Sequence, residues 1–404
     1  MENPATLKKC PCCHSGLSSP FYFVGPVPVH SCLMMTTVEQ ASAFPTSDVE
    51  LAACPDCGFV TNIRFDSKWS AYAPQYEDQQ SFSPTFNSFA GRLAKGLVER
   101  HGLAGKTVVE VGCSKGDFLS LLCEAGGMNA IGIDPSAVEG RVRAPSRGSM
   151  RLIAEYYGPR HLELPADLLC NRHTLEHIQD VHEFLVLSKQ HAERNPGAVL
   201  CIEVPDYTRV WRDLSFEDIY YEHCSYFTPG SLARAARRAG FSVTDLRREF
   251  DDQYLILEAS LNPADDRTFE IEERPGDVIK AVEGFQRRVD ALKDAWRRRL
   301  AYAQSKGQKV AVWGSGSKCV SFLKTLGSEP MISAIVDINP HRAGKIAPGL
   351  SIPIATPSRL KTLKPDLIIA MNSIYRDEIA ADCADMGLKA KIMSLGEIDS
   401  EVTA

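Results

Sequence analysis

Apolar and polar positions follow several rhythms along the chain, and each change of rhythm marks a part of it. Near the start, "FYFVGPVPVHSCLMM" and "SDVELAACPDCG" place short apolar runs between proline, glycine and serine, the pattern of short strands and turns. In "WSAYAPQYEDQQSFSPTFNSFAGRLAKGLVERHG" an aromatic and polar first half reads as a covering segment, and the second half has the spacing of an amphipathic helix. Next, "KTVVEVGCSKGDFLSLLCEAG" predicts a strand from Val108, Val109 and Val111, a tight turn between Gly112 and Gly116, and a helix. "MNAIGIDPS" adds a second strand, and "ADLLCNRHTLEHIQDVHEFL" a further strand end, polar loop and helix, which continues the alternation of an open parallel sheet.

After "NPADDRTFEIEERPGD" a proline-marked boundary leads into mixed-charge helical periodicity, a bridge between domains rather than a nucleic-acid arm. "KVAVWGSGSKCVSFLKTLG", "ISAIVDINP" and "PDLIIAMNS" then restart strand, glycine turn and helix as a second, smaller α/β unit. The fold class is therefore α/β, in four parts: 1–66, short strands around a metal staple; 67–260, the central Rossmann-like unit; 261–308, a helical bridge; and 309–404, a smaller Rossmann-like unit.

At 404 residues the chain is long enough for two or three cores, and 44% hydrophobic with 24% charged residues is the balance of a soluble globular enzyme. A net charge of -6 leaves no electrostatic footprint for nucleic acid or an anionic membrane. No apolar run reaches transmembrane length, and "MENPATLKKC" lacks the apolar run of a secretory signal, so a cytoplasmic location is expected.

Thirteen cysteines would be many for such a compartment unless some serve a metal. Cys10, Cys13, Cys54 and Cys57 form two C-x2-C knuckles that can offer four thiolates to one tetrahedral zinc. Four protein thiolates leave no open position, so the site is structural; free or redox thiols are the alternative. Cys12 competes as a ligand, and Cys32 reads as a core or spare thiol.

The central glycine turn asks for a nucleotide-containing cofactor. "GCSKGD" lacks the G-x-G-x-x-G spacing that brings backbone against a pyrophosphate, which disfavours a nicotinamide enzyme; an adenosyl sulfonium has no pyrophosphate. Glu110, at the end of the first strand, can orient a cationic amino-acid end, and Asp134, about twenty residues past the turn, can accept from ribose hydroxyls. The second turn, G-S-G, also lacks the third close glycine; it reads as a degenerate fold that helps hold a nucleotide, or as packing alone.

The ordered set of C-x2-C pairs, "VEVGCSKGDFL", "GIDPS", "CNRHTLEHIQDVHEFL", "DIYYEHCSYFTPGSL" and "VWGSGSKCVSFLKTLG … VDINPHRAGKIAPGLSIPI" resembles the zinc-containing class I S-adenosylmethionine-dependent methyltransferases related to nucleotide-sugar C-methyltransferases. The resemblance covers nearly the whole chain. It implies methyl transfer from S-adenosylmethionine to the carbon beside the carbonyl of a nucleotide-linked keto-sugar. It also places the cofactor contacts at Glu110, Gly112, Gly116 and Asp134. The family's Tyr-His-Glu-His pattern stands here as Tyr220, Tyr221, Glu222 and His223, with tyrosine replacing the usual second histidine.

The chemistry of those residues runs the same way. A sulfonium carries an activated methyl, so a carbon acceptor needs alignment and loss of its α-proton. His223 has an intrinsic pKa suited to that loss, Glu222 can orient it, and Tyr220 can donate to a developing enolate oxygen. A buried aromatic loop with a satisfied histidine is the plainer account. Tyr72 and Tyr76 can close over the acceptor or simply pack. His173 and His177, four apart, share a face if a helix has begun, with His173 the acceptor contact and His177 orienting or structural. An O-methyltransferase and a noncatalytic zinc-containing interaction module are the competing functions.

Overall fold

The computed structural model describes residues 6–69 and 71–398. Its N-terminal sheet joins Tyr22–Pro28, Thr46–Ala53 and Val60–Asn62 in antiparallel register. The fourth strand, Ser225–Tyr226, arrives from far along the chain and pairs with Val60 and Thr61. It directly follows the Tyr220–His223 segment, so the cysteine-bearing sheet and that segment are built together.

The covering segment leads into the helix Pro84–His101. Ser83 accepts from the Phe86 amide, Pro84 sits in the first turn, and Gly102 closes the helix in the left-handed region. Phe86, Phe89, Ala90, Leu93, Ala94, Leu97 and Val98 are buried at the i, i+3, i+4, i+7 spacing of one apolar face, which packs beside the helix Asp117–Gly126.

The central sheet has seven strands in the order Ser242–Glu249, Tyr254–Ser260, Val199–Pro205, Leu168–Arg172, Thr107–Val111, Asn129–Ile133 and Ser149–Ile153. Tyr254–Ser260 is antiparallel to both of its neighbours; the other pairs are parallel. Successive crossovers run one way from Thr107–Val111 and the opposite way through Leu168–Arg172. Strand order thus reverses between these two strands, where a ligand crevice forms at their carboxyl ends.

Beyond it, helices Pro275–Val282 and Phe285–Ser305 lead to a five-stranded parallel sheet, Ile354–Ala355, Ala334–Val336, Val310–Trp313, Leu367–Ala370 and Lys391–Ser394. One apolar core runs from Tyr22 and Leu51 of the first sheet through Trp211, Phe285 and Trp296 to Val312 and Ile335 of the last. The N-terminal and C-terminal units therefore share an interior. Among the described residues no helix is long and apolar enough to cross a membrane.

Candidate active site

A cavity of about 540 Å³ opens between the central and C-terminal sheets, within the roughly 300–1,000 Å³ range of small-molecule sites. One wall is the central glycine turn. Gly112 has φ +74, and a Cβ there would meet Thr174 Oγ1 at 1.8 Å, so both the backbone and the overlying loop demand glycine. Gly116, with φ +92, begins the helix Asp117–Gly126. Ser114 between them donates its amide to Asp134 Oδ2 at 2.8 Å, and the Ser136 amide donates to Asp134 Oδ1 at 2.6 Å. Glu110 is 2% exposed, and its Oε2 has no hydrogen-bond partner among the described residues. Burial pushes its carboxyl up to about 8, with Arg172 opposing and Glu203, Asp117 and Asp134 adding. A buried carboxyl with an unpartnered oxygen beside a glycine cradle fits the cationic amino-acid end of S-adenosylmethionine.

The facing wall holds the segment Tyr220–His223. His223 is buried, with Nδ1 on the Tyr207 hydroxyl and Nε2 2.9 Å from the Tyr220 hydroxyl. Burial, then the influence of His177, His173 and Lys318, holds its pKa well below the ordinary histidine value, so the ring is neutral. Glu222 does not orient it. That carboxylate turns to His30 Nδ1 at 2.8 Å and the Ser31 amide at 3.0 Å, anchoring the segment to the N-terminal unit, and two tyrosines orient the imidazole instead. Tyr221, the departure from the family pattern, accepts from the Asp66 amide at 2.8 Å and stacks on Phe65, outside the cavity lining.

Tyr72 and Tyr76 both line the cavity and pack edge to face, and the Tyr72 hydroxyl meets His177 Nδ1 at 2.7 Å. The expectation that His173 and His177 share a helical face fails, because His173 takes φ +47, a short 3-10 turn follows at Leu175–His177, and the helix starts only at Val181. His173 lines the cavity with Nε2 2.8 Å from Glu203 Oε1 and Nδ1 3.4 Å from Glu176; the shorter approach is an ion pair without hydrogen-bond direction. Burial works against its charge, but Glu203 and Glu176 outweigh it and push the pKa up to about 9. His173 thus has both nitrogens facing carboxylates, which favour its charged form. Glu176, His177 and His223 bring ligand atoms within 4.8 Å of one another; both His223 nitrogens and His177 Nδ1 meet tyrosine hydroxyls, while neither Glu176 carboxyl oxygen has a hydrogen-bond partner among the described residues.

Away from the cavity, the sulfurs of Cys10, Cys13, Cys54 and Cys57 all lie within 4.8 Å of one another, with Cys10 3.6 Å from Cys57 and Cys13 3.4 Å from Cys54. A tetrahedral ion with metal–sulfur bonds of ~2.3 Å spaces its ligands about 3.8 Å apart, so the four thiols suit one metal. Cys12 is buried but stands outside this set.

Several participants carried no sequence signal. Tyr207 and Arg172 belong to unremarkable strand and helix ends, and His30 lies 192 residues from the carboxylate it meets. Asp78 was within the covering segment, but only the fold brings it to Ser114.

Residues 86–246 match a model of the methyltransferase domain, and 266–391 match the C-methyltransferase C-terminal domain. The chain is 28% identical over 305 residues to the C-methyltransferase NovU of Streptomyces niveus, covering 71% of each. A methyltransferase structure from Aquifex aeolicus aligns with 47% of this chain and 98% of its own at 16% identity and a TM-score of 0.35. An O-methyltransferase family protein from Burkholderia thailandensis aligns with 43% and 58% at 19% identity and 0.31, and likenesses of that size say nothing of the acceptor. The chain is an S-adenosylmethionine-dependent methyltransferase of the C-methyltransferase class.

Proposed function

We propose that the acceptor is a keto-sugar linked to a nucleotide, methylated at the carbon beside its carbonyl, and that the four-cysteine cluster holds a structural zinc. The observation that carries the acceptor chemistry is a neutral, buried His223, hydrogen-bonded to Tyr220 across the cavity wall from the cofactor turn. When bound, S-adenosylmethionine supplies an activated methyl on a sulfonium. Glu110, Gly112, Gly116 and Asp134 would hold it. A neutral imidazole is the form able to take an α-proton; in the acceptor complex the Tyr220 hydroxyl would turn from His223 Nε2 to the oxygen on which charge develops, and that would free the nitrogen's lone pair for the proton. Tyr207 and Tyr220 keep the imidazole plane fixed, while Tyr72 and Tyr76 narrow the cavity and limit water. On the far side, the turn around Gly314 and Gly316, with Lys318, lines the same cavity and supports a place for the phosphates of the nucleotide.

The test is a panel of nucleotide-linked keto-sugars, with product mass and the position of the new methyl by NMR. His223→Ala is expected to bind cofactor normally but to lose about 10²–10⁴-fold in methyl transfer and in solvent exchange of the acceptor's α-proton. Wild-type exchange in that variant removes His223 as the base, and a methyl found on oxygen replaces carbon chemistry with O-methylation. For the metal, elemental analysis should find one zinc per chain, lost together with N-terminal stability in Cys54→Ser.

A further inference from the structure

The segment Glu77–Ser83 lies across the cavity between the two Rossmann-like units and is bonded to both. Toward the cofactor turn, Ser114 Oγ donates to Asp78 Oδ1 at 2.6 Å, and Gln79 Nε2 donates to Asp117 Oδ2 at 2.8 Å. Toward the C-terminal unit, Arg342 donates to the Glu77 carbonyl, the Tyr375 hydroxyl donates to Gln80 Oε1 at 3.1 Å, and Ser83 Oγ donates to Glu378 at 2.8 Å.

Asp78 lines the cavity, remote from bulk water yet partly accessible from inside. Further carboxyls share its cavity, while the nearby Arg342 guanidinium is already paired with Asp337. Asp134 and Glu110 stand on the same wall, Glu110 with an oxygen that has no partner among the described residues. The nearby ammonium of Lys115 is turned to the carbonyls of Ser136 and Pro74. Burial, with Asp134 adding, pushes the Asp78 carboxyl up to about 6, while Ser114 and Lys115 oppose. Three carboxyls facing one cavity form an arrangement that a ligand carrying ammonium and sulfonium charges would relieve.

We infer that Asp78 is a third cofactor-binding carboxyl, contributed by a strap whose closure is thereby tied to cofactor occupancy. It engages the cofactor through Oδ2 while Oδ1 stays on Ser114, so the donor fixes the strap from below as the C-terminal unit fixes it from above. This assignment requires nothing of the acceptor.

Calorimetry with S-adenosylhomocysteine and S-adenosylmethionine tests it on the full chain. Asp78→Asn should weaken S-adenosylhomocysteine about tenfold, and S-adenosylmethionine more, since only the latter carries the sulfonium charge. In the wild type, S-adenosylhomocysteine should slow amide exchange in residues 77–83, and in Asp78→Asn it should not. Affinity for S-adenosylhomocysteine within twofold of wild type in a folded Asp78→Asn protein overturns the assignment. Should the variant not fold, the wild-type exchange experiment stands alone: a strap equally exchangeable with and without ligand overturns it as well.

Discussion

The central and C-terminal units repeat one local design: a strand, a glycine turn, a helix, and an aspartate at the end of the next strand. Their aspartates are spent differently. Asp134 accepts two backbone amides, from Ser114 and Ser136. Asp337 accepts the Ser315 amide at 2.7 Å, the Ser315 hydroxyl at 2.6 Å, the Asn339 amide at 2.8 Å and Arg342 Nη1 at 2.9 Å. A carboxylate has about four acceptor sites; Asp337 takes four donors, three of them crowded on Oδ2, whereas Asp134 takes two and would keep about two sites for ribose hydroxyls. Glycine spacing thus marks where a nucleotide-type turn exists, and the satisfaction of its carboxylate tells whether the turn can hold a ribose.

The largest expected effect breaks the filled site. Asp337→Ala leaves the buried Arg342 guanidinium without its counter-charge and should cost about 3 kcal/mol of stability, read by denaturant unfolding. The Arg342 charge and the donors around it, working against burial, hold the Asp337 carboxyl below the usual carboxylate range. Its stabilising contribution is therefore full above the unfolded-state value near pH 4 and is lost as pH falls through the folded value, so Asp337→Asn should flatten the acid limb of the stability curve.

The next effect falls on the open site. Gly112→Ala would drive a Cβ into Thr174 and should reduce cofactor affinity by roughly a hundredfold, with about 1–3 kcal/mol of lost stability. Asp134→Asn should weaken the cofactor by about tenfold in calorimetry and leave the melting temperature within a few degrees. Smallest is Gly314→Ala. At φ +100, with Met371 Cβ 3.3 Å from the added carbon, it should cost about 1 kcal/mol and leave cofactor affinity alone. Equal losses of affinity in the two glycine variants would erase the distinction between the turns.

The sequence made the α/β architecture readable because strand, turn and helix are neighbours in the chain: the run of valines before Gly112 and the amphipathic face of Pro84–His101 are local signals. The four cysteines were readable for the same reason, two short spacings repeated. Function at longer range was not. Glu222 next to His223 invited the expectation of an acid–imidazole pair, yet neighbours in a turn point apart, and the carboxylate goes to His30. The filling of Asp337 by Arg342 and the placing of Tyr207 on His223 depend on how loops return to the sheet, which no periodicity encodes.

The late fourth strand of the N-terminal sheet has a consequence for synthesis. Thr61 Oγ1 donates to the Cys224 carbonyl across 163 residues of chain, and among the described residues Val60–Asn62 has no other strand neighbour on that side of the sheet. At about 5–20 residues per second, this edge waits on the order of ten to thirty seconds on the ribosome before its partner emerges. An open strand edge is a template for pairing with other chains. The cysteines of the two knuckles, all made by residue 57, are available throughout that wait, so a metal held by them would clamp the early sheet before the strand that completes it.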